Sequence, residues 1–172
     1  MRTRIRTIIA TLGVMAAALA APAPASAAPT SGGMAPSGAG YVSLSTLAAS
    51  GCGSTCDYRD PNTFKIYYDG THYATCVEGR PGYDERAIDV DSVWFPGGTI
   101  ILRYSPFCRT VWTKRTGSVS PTTTSYYTGG GKRTEARGVI SGTDWTQMLN
   151  DAGLLGQGCG TDGSLSGCTI KY

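Results

Sequence analysis

The sequence predicts a mainly β protein: a small antiparallel, disulfide-stabilised barrel or sandwich with one short helix near the C-terminus. Three observations carry this expectation. Six cysteines all follow an N-terminal stretch with the make-up of an export signal, and exported chains meet an oxidising environment in which cysteines pair. Short segments rich in β-branched and aromatic residues recur from residue 63 onward, separated by turn formers. One stretch, 143–152, instead spaces its apolar residues as a buried helical stripe.

The chain opens on Arg2, Arg4 and Arg6, a basic head, followed by an alanine-rich apolar run from Ile8 to Ala21. Ala25-Ser26-Ala27 has the A-x-A form that signal peptidase accepts, so residues 1–27 read as a signal peptide cleaved after Ala27. The run is too short and too rich in alanine for a membrane anchor, which needs about 20 strongly apolar residues. Ala49-Ser50-Gly51-Cys52 resembles a lipobox, but a long linker separates it from the apolar run, so lipidation is not expected. The expected location is secreted and extracellular, with no membrane association after cleavage.

Removing the signal changes the charge balance. Of 15 basic residues against 12 acidic ones in the whole chain, three arginines lie in the signal, leaving a near-neutral remainder. Nucleic acid is therefore not an expected partner, because its ligands are net basic. Residues 28–51 are uncharged and rich in Ala, Ser, Gly and Pro, and read as a flexible tether. Within it Tyr41, Val42, Leu44 and Leu47 could pack locally. Residues 52–172 form a single domain with room for one core.

The elements follow in order. Thr63 to Tyr68 and Thr71 to Val77 flank Asp69-Gly70, a strong hairpin signal. Ala87 to Phe95 alternates, with Ile88, Val90, Ser92 and Trp94 on one face and Asp89, Asp91 and Val93 on the other. Pro96-Gly97-Gly98 turns the chain into Thr99 to Ser105, where Ile100, Leu102 and Tyr104 share a face. Arg109 to Arg115 and Ser125 to Val139 read as further strands, the latter split at Gly129-Gly130-Gly131. The predicted helix starts at Thr143 as a cap, buries Trp145, Met148, Leu149 and Ala152, and stops at Gly153.

Cys52, Cys56, Cys76, Cys108, Cys159 and Cys168 are all expected in disulfides. Cys52-x3-Cys56 could open a zinc site, but no second close pair or histidine follows at a suitable spacing, so no metal or cofactor is expected. Cys159 and Cys168 bracket a glycine-rich tail and are expected to pair. The 52–56 segment is expected to bridge to Cys76 and Cys108.

No catalytic constellation is legible. His72 is the single histidine, without a nucleophile elbow to serve. Asp89 and Asp91, two apart on a strand, would share a face; they suit glycoside hydrolysis or a calcium site, with Glu78, Asp84 and Glu85 nearby. Lys132, Arg133 and Arg137, with Lys114 and Arg115 and the adjacent Tyr126 and Tyr127, form a candidate basic binding edge or an ordinary solvated hairpin. Trp94, Trp112 and Trp145 each fit an apolar face and are expected in the core rather than on a carbohydrate platform.

One arrangement carries a resemblance. Cys56-Asp57-Tyr58-Arg59-Asp60-Pro61, then Cys76, then Leu102-Arg103-Tyr104-Ser105-Pro106-Phe107-Cys108-Arg109-Thr110-Val111-Trp112 resembles the YjfA-like domain of unknown function of exported proteins from Gram-positive, mainly actinobacterial, bacteria. Trp145-Thr146-Gln147-Met148 is similar to a later segment of that family. The resemblance covers about residues 52–150. Ile101 departs from it, standing where an acidic residue often occurs, and the stretch from Glu78 to Gly98 is long. The resemblance implies an exported disulfide domain and marks Asp60, Pro61, Arg103, Tyr104, Ser105, Arg109 and Trp112 as signature residues. It supplies no reaction. Arg103 is expected to pair with a strand carboxylate such as Asp60, Asp89 or Asp91.

The leading functional expectation is a monomeric, non-enzymatic binding or structural protein with an extracellular or cell-wall partner. The alternatives are a small secreted hydrolase using Asp89 and Asp91, and an inhibitor-like module presenting loop 52–62 or 159–168.

Overall fold

The computed structural model describes residues 39–172. The predicted signal, 1–27, and the first part of the predicted tether lie outside the described residues. The rest of that tether is part of the fold. Strand β1 (Ala39–Tyr41) and helix α1 (Leu44–Ser50) precede a 3-10 turn, Gly53–Cys56, and strands β2 (Lys65–Tyr67) and β3 (Tyr73–Ala74). β1 pairs in parallel with β2, which pairs antiparallel with β3. Val42 and Leu47 are buried with Cys52, Phe64, Phe107 and Met148. Burial of Val42 and Leu47, with the β1–β2 pairing, places in the fold a segment whose composition reads as linker.

Helix α1 is the one α-helix among the described residues, so the helix lies near the N-terminal edge of the domain and not near the C-terminus. Ser43 caps it by accepting the Thr46 N–H. It ends at Gly51, whose φ is +64° and whose Cβ, were there one, would lie 2.4 Å from the Cys108 carbonyl oxygen. Only glycine fits there.

The central sheet has the order β4-β5-β6-β9, from β4 (Ile88–Phe95), β5 (Gly98–Ser105), β6 (Thr110–Arg115) and β9 (Leu149–Asn150). The second sheet runs β11-β10-β7-β8, from β7 (Ser120–Tyr126), β8 (Lys132–Arg137), β10 (Leu155–Thr161) and β11 (Ser166–Cys168). All pairings in these two sheets are antiparallel. The three sheets include no closed barrel.

The predicted helix at 143–152 is extended chain instead. Its backbone groups find partners on neighbouring elements: Thr146 N donates to Thr113 O, and Met148 N to Arg59 O, while Met148 O accepts from Tyr58 N. Lys114 bridges Trp145, and β9 pairs with β6. The apolar spacing read as a helical stripe is satisfied by burying Met148 and Leu149 along the edge of β6, a tertiary override of local pattern. Thr143 makes a turn rather than a cap, donating to Ile140 O.

The two larger sheets pack through alternate glycines of β10. A Cβ at Gly156 would meet Val111 at 2.5 Å, one at Gly158 would meet Thr113 Oγ1 at 2.8 Å, and one at Gly160 would meet Ile100 at 2.7 Å. Beside this seam the hydroxyls of Thr113, Thr123 and Thr146 form a buried chain with 2.7 Å contacts, closed on the Thr122 and Gln147 carbonyls.

The disulfides are Cys52–Cys56, Cys76–Cys108 and Cys159–Cys168. The tail clasp matches the expected pairing, joining residues opposed on β10 and β11. The 52–56 segment, however, closes on itself rather than bridging to Cys76 and Cys108. The 3-10 turn brings Cys52 and Cys56 to a Cα separation of 5.8 Å, while the end of the β2–β3 hairpin meets the turn after β5 at 5.5 Å. No helix among the described residues is long and apolar enough to cross a membrane.

Candidate functional site

Side chains alternate across a strand, and directly paired residues share a face. One face of the central sheet, carrying Ile100, Leu102, Val111 and Thr113, packs on β10. The opposite face carries Trp94 and Ser92 from β4, Thr99, Ile101 and Arg103 from β5, and Trp112 and Lys114 from β6. The N-terminal layer covers only the Trp112 end of it, where Trp112 is buried and Trp145 packs alongside. At the other end Trp94 is 73% exposed. The three tryptophans expected in the core thus grade along this outer face from buried to open.

A bulge explains the misreading of Trp94. The β4–β5 register shifts between Asp89 and Asp91, so the residues turned inward after it are Asp91, Val93 and Phe95. The same shift separates the two carboxylates. Asp89 lies opposite Arg103 on the outer face, whereas Asp91 lies opposite Leu102 on the inner one and accepts the Ile170 N–H at 2.7 Å.

Between the Trp112 end and the open end lies a cleft of about 90 Å³ lined by Asn62, Val77, Arg103, Trp112, Lys114 and Trp145. The Arg103 guanidinium lies 5.6 Å from the Trp112 ring centroid, and its Nε donates to Asp89 at 2.7 Å. Its third contact is with the Ala87 carbonyl. Asp89 is thus the one among the three anticipated carboxylates that pairs with Arg103. Asp60 instead accepts the Trp145 indole N–H at 3.1 Å and the Asn62 amide at 2.9 Å, fixing one wall of the cleft. Lys114 has no ion-pair partner among the described residues. The cleft therefore offers one fixed cation stacked on an aromatic ring, one unpaired ammonium and an indole edge.

The other signature residues build the support. Ser105 is buried; its Oγ accepts Cys108 N and its carbonyl accepts Arg109 N, closing the turn between β5 and β6. Arg109 takes a left-handed φ of 53° and donates to Ala49 O, tying that turn to α1. Pro61 is buried, and its carbonyl accepts Val77 N. Tyr104 lies against Tyr172, and burial raises its phenol pKa.

Apart from Lys114, the cations of the candidate basic edge are engaged in internal pairs. Arg133 grips Asp57 in a two-pronged contact at 2.7 and 2.9 Å, and Asp57 also accepts Asn150 N. That bond is the main reason the Arg133 pKa is raised. Lys132 and Arg137 both engage Glu135, and together hold its carboxyl below its ordinary range. Arg115 pairs with Asp144 at 3.5 Å.

The remaining candidates scatter. His72 is exposed and bonded to Asp69 at 2.6 Å. The carboxyl of Asp69 is lowered mainly by the His72 and Thr71 backbone amides. Glu85 binds Arg80 at 2.5 Å, away from Asp89. The 159–168 hairpin exposes Leu165 at a tip fastened by Asp162, which accepts the Ser164 and Leu165 amides. Lys114, expected on a basic edge with Lys132, Arg133 and Arg137, lines the cleft instead, and Asn62 was not anticipated. Lys114 stands two after Trp112 on a strand, a same-face spacing already visible in the sequence; Asn62 carried no such signal.

Residues 54–159 match the family described as "Protein of unknown function (DUF2690)". No curated protein and no solved structure matches the chain. The matched span contains Asp60, Trp94, Arg103, Trp112, Lys114 and Trp145.

Proposed function

Since the chain belongs to the DUF2690 family, whose description assigns no activity, we propose its function from geometry: a non-catalytic binding module that works outside the cytoplasm. In this reading residues 1–27 are a cleaved export signal and the protein is a YjfA-like, actinobacterial-type envelope or extracellular domain. Its partner is a cell-wall polymer bearing acidic groups on a saccharide backbone, held on the outer face of the central sheet.

The observation that carries this is the exposure of Trp94 on the same face as the Arg103–Lys114–Trp145 cleft. A large aromatic side chain left open on a sheet face offers a flat apolar platform, and the nearby unpaired Lys114 ammonium can supply charge-assisted hydrogen bonds. Three disulfides suggest an oxidising environment, consistent with work outside the cell. The β4 bulge sets Asp89 and Asp91 on opposite faces of the sheet, which favours the binding reading over a hydrolase built on that pair.

Co-sedimentation of the purified protein with isolated Gram-positive cell walls tests this. Trp94→Ala combined with Lys114→Ala should weaken binding about tenfold or more, equivalent to about 1.4 kcal/mol. Thermal unfolding should change little, since Trp94 is exposed and Lys114 is only half-buried and makes no ion pair among the described residues. Equal sedimentation of the wild type and the double variant would refute the assignment, as would failure of the wild type to bind.

A further inference from the structure

The sequence argument against zinc was that Cys52-x3-Cys56 has no second close pair. The fold supplies one. Cys76 arrives from the β2–β3 hairpin and Cys108 from the turn after β5, and the four sulfurs of Cys52, Cys56, Cys76 and Cys108 lie within 4.8 Å of one another. All four residues are buried. Disulfide pairing requires only that sulfurs meet two at a time. Nothing in two separate bridges obliges them to lie side by side, and here they form one compact cluster.

We propose that these four cysteines are also a metal site: once reduced, they hold a single zinc ion as a four-thiolate centre. Zinc bound by four cysteines is tetrahedral, and a Zn–S distance of about 2.3 Å sets neighbouring sulfurs about 3.8 Å apart. Breaking each S–S bond lets its sulfurs move apart toward that edge, while the second pair is already within reach. The backbone that presents them does not depend on the bridges alone. Cys52 N donates to Cys108 O at 2.9 Å, Cys108 N to Ser105 Oγ at 3.1 Å, and Gly79 N to Thr75 O at 3.0 Å. Ligand spacing is therefore held by hydrogen bonds and by the packing of Phe64, Phe107, Trp112 and Met148 around the cluster. Soft thiolates favour zinc over magnesium or calcium.

The chemistry balances with a dithiol as reductant. Each bridge accepts two electrons and two protons from one dithiol, which leaves as its own disulfide. The four protein thiols then each release a proton as they form an S–Zn bond, so uptake strengthens as pH rises. The same core is thereby closed in two ways: by two disulfides under oxidising conditions and by one metal ion under reducing ones. This inference is independent of the binding face, since none of the four cysteines lines the cleft.

The test is a cadmium titration, cadmium serving as the spectroscopic stand-in for zinc. The purified protein is reduced anaerobically with dithiothreitol, desalted, and titrated while the thiolate-to-metal charge-transfer absorption is followed. Expected are saturation at one equivalent, displacement by zinc, and unchanged binding in a Cys159→Ala/Cys168→Ala variant. Cys76→Ser should weaken the metal at least tenfold. If the reduced protein unfolds, adding metal should restore its circular dichroism, which would equally support the site. Saturation above one equivalent, tight binding that survives Cys76→Ser, or a reduced chain that neither binds nor refolds would overturn it.

Discussion

Burial raises the Asp151 pKa from an ordinary carboxylate value to about 7, although the nearby Arg109 charge pulls the other way. Its Oδ1 has no hydrogen-bond partner among the described residues. The sign of the consequence follows from linkage. Below about pH 4 both folded and unfolded chains hold the proton. As pH rises from there through about 7, the unfolded chain releases it while the native one retains it, so stability falls across that window and levels off above it. The loss attributable to this group is on the order of a few kcal/mol. Asp151→Asn keeps the shape without the charge and should flatten this fall, which urea midpoints measured between pH 4 and 8 would register. An identical pH slope in the variant would show that another group sets it. At the same scale, Asp57 and Arg133 show why a basic residue in the sequence need not be a binding residue: the guanidinium is committed to a partner 76 positions away.

Among the elements, β10 is tightly constrained by its neighbours. Its sequence, Leu-Gly-Gln-Gly-Cys-Gly-Thr, places glycine at every second position, so the two larger sheets approach where side chains would otherwise stand. Gly158→Val should destabilise the protein by at least about 1–3 kcal/mol through overpacking against Thr113 and Leu102. A chemical denaturation midpoint equal to wild type would contradict that packing. The same strand shows what sequence reading could and could not see. β4, β5 and β6 were legible because their β-branched residues alternate and Pro96-Gly97-Gly98 separates two of them. β10 was not, because glycine alternation has no hydrophobic signature. The 143–152 stretch was misassigned because its hydrogen-bond partners on β6 and the 58–59 segment are distant in sequence. The part of the site carried by Arg103 and Trp112 lay in a recognisable block. Trp94 was misplaced because a single-residue bulge inverts facing without altering the apparent alternation.

At the scale of the whole domain, a disulfide-braced N-terminal layer and a glycine-packed sheet seam leave the outer face of the central sheet half covered. The covered half fixes Trp112 beneath Arg103; the open half presents Trp94. In the proposed reading this face is the binding surface; among the signature residues Arg103 and Trp112 line the cleft, while Ser105 and Arg109 hold the turn between β5 and β6. Amide chemical-shift mapping on addition of soluble cell-wall fragments tests whether the outer face binds them. Perturbations are expected to concentrate at 92–94, 99–103 and 112–114, together with the Trp94 and Trp145 indole N–H signals. Perturbations confined to the β7–β8 edge around Lys132 and Arg137, or to the tip at Leu165, would contradict it.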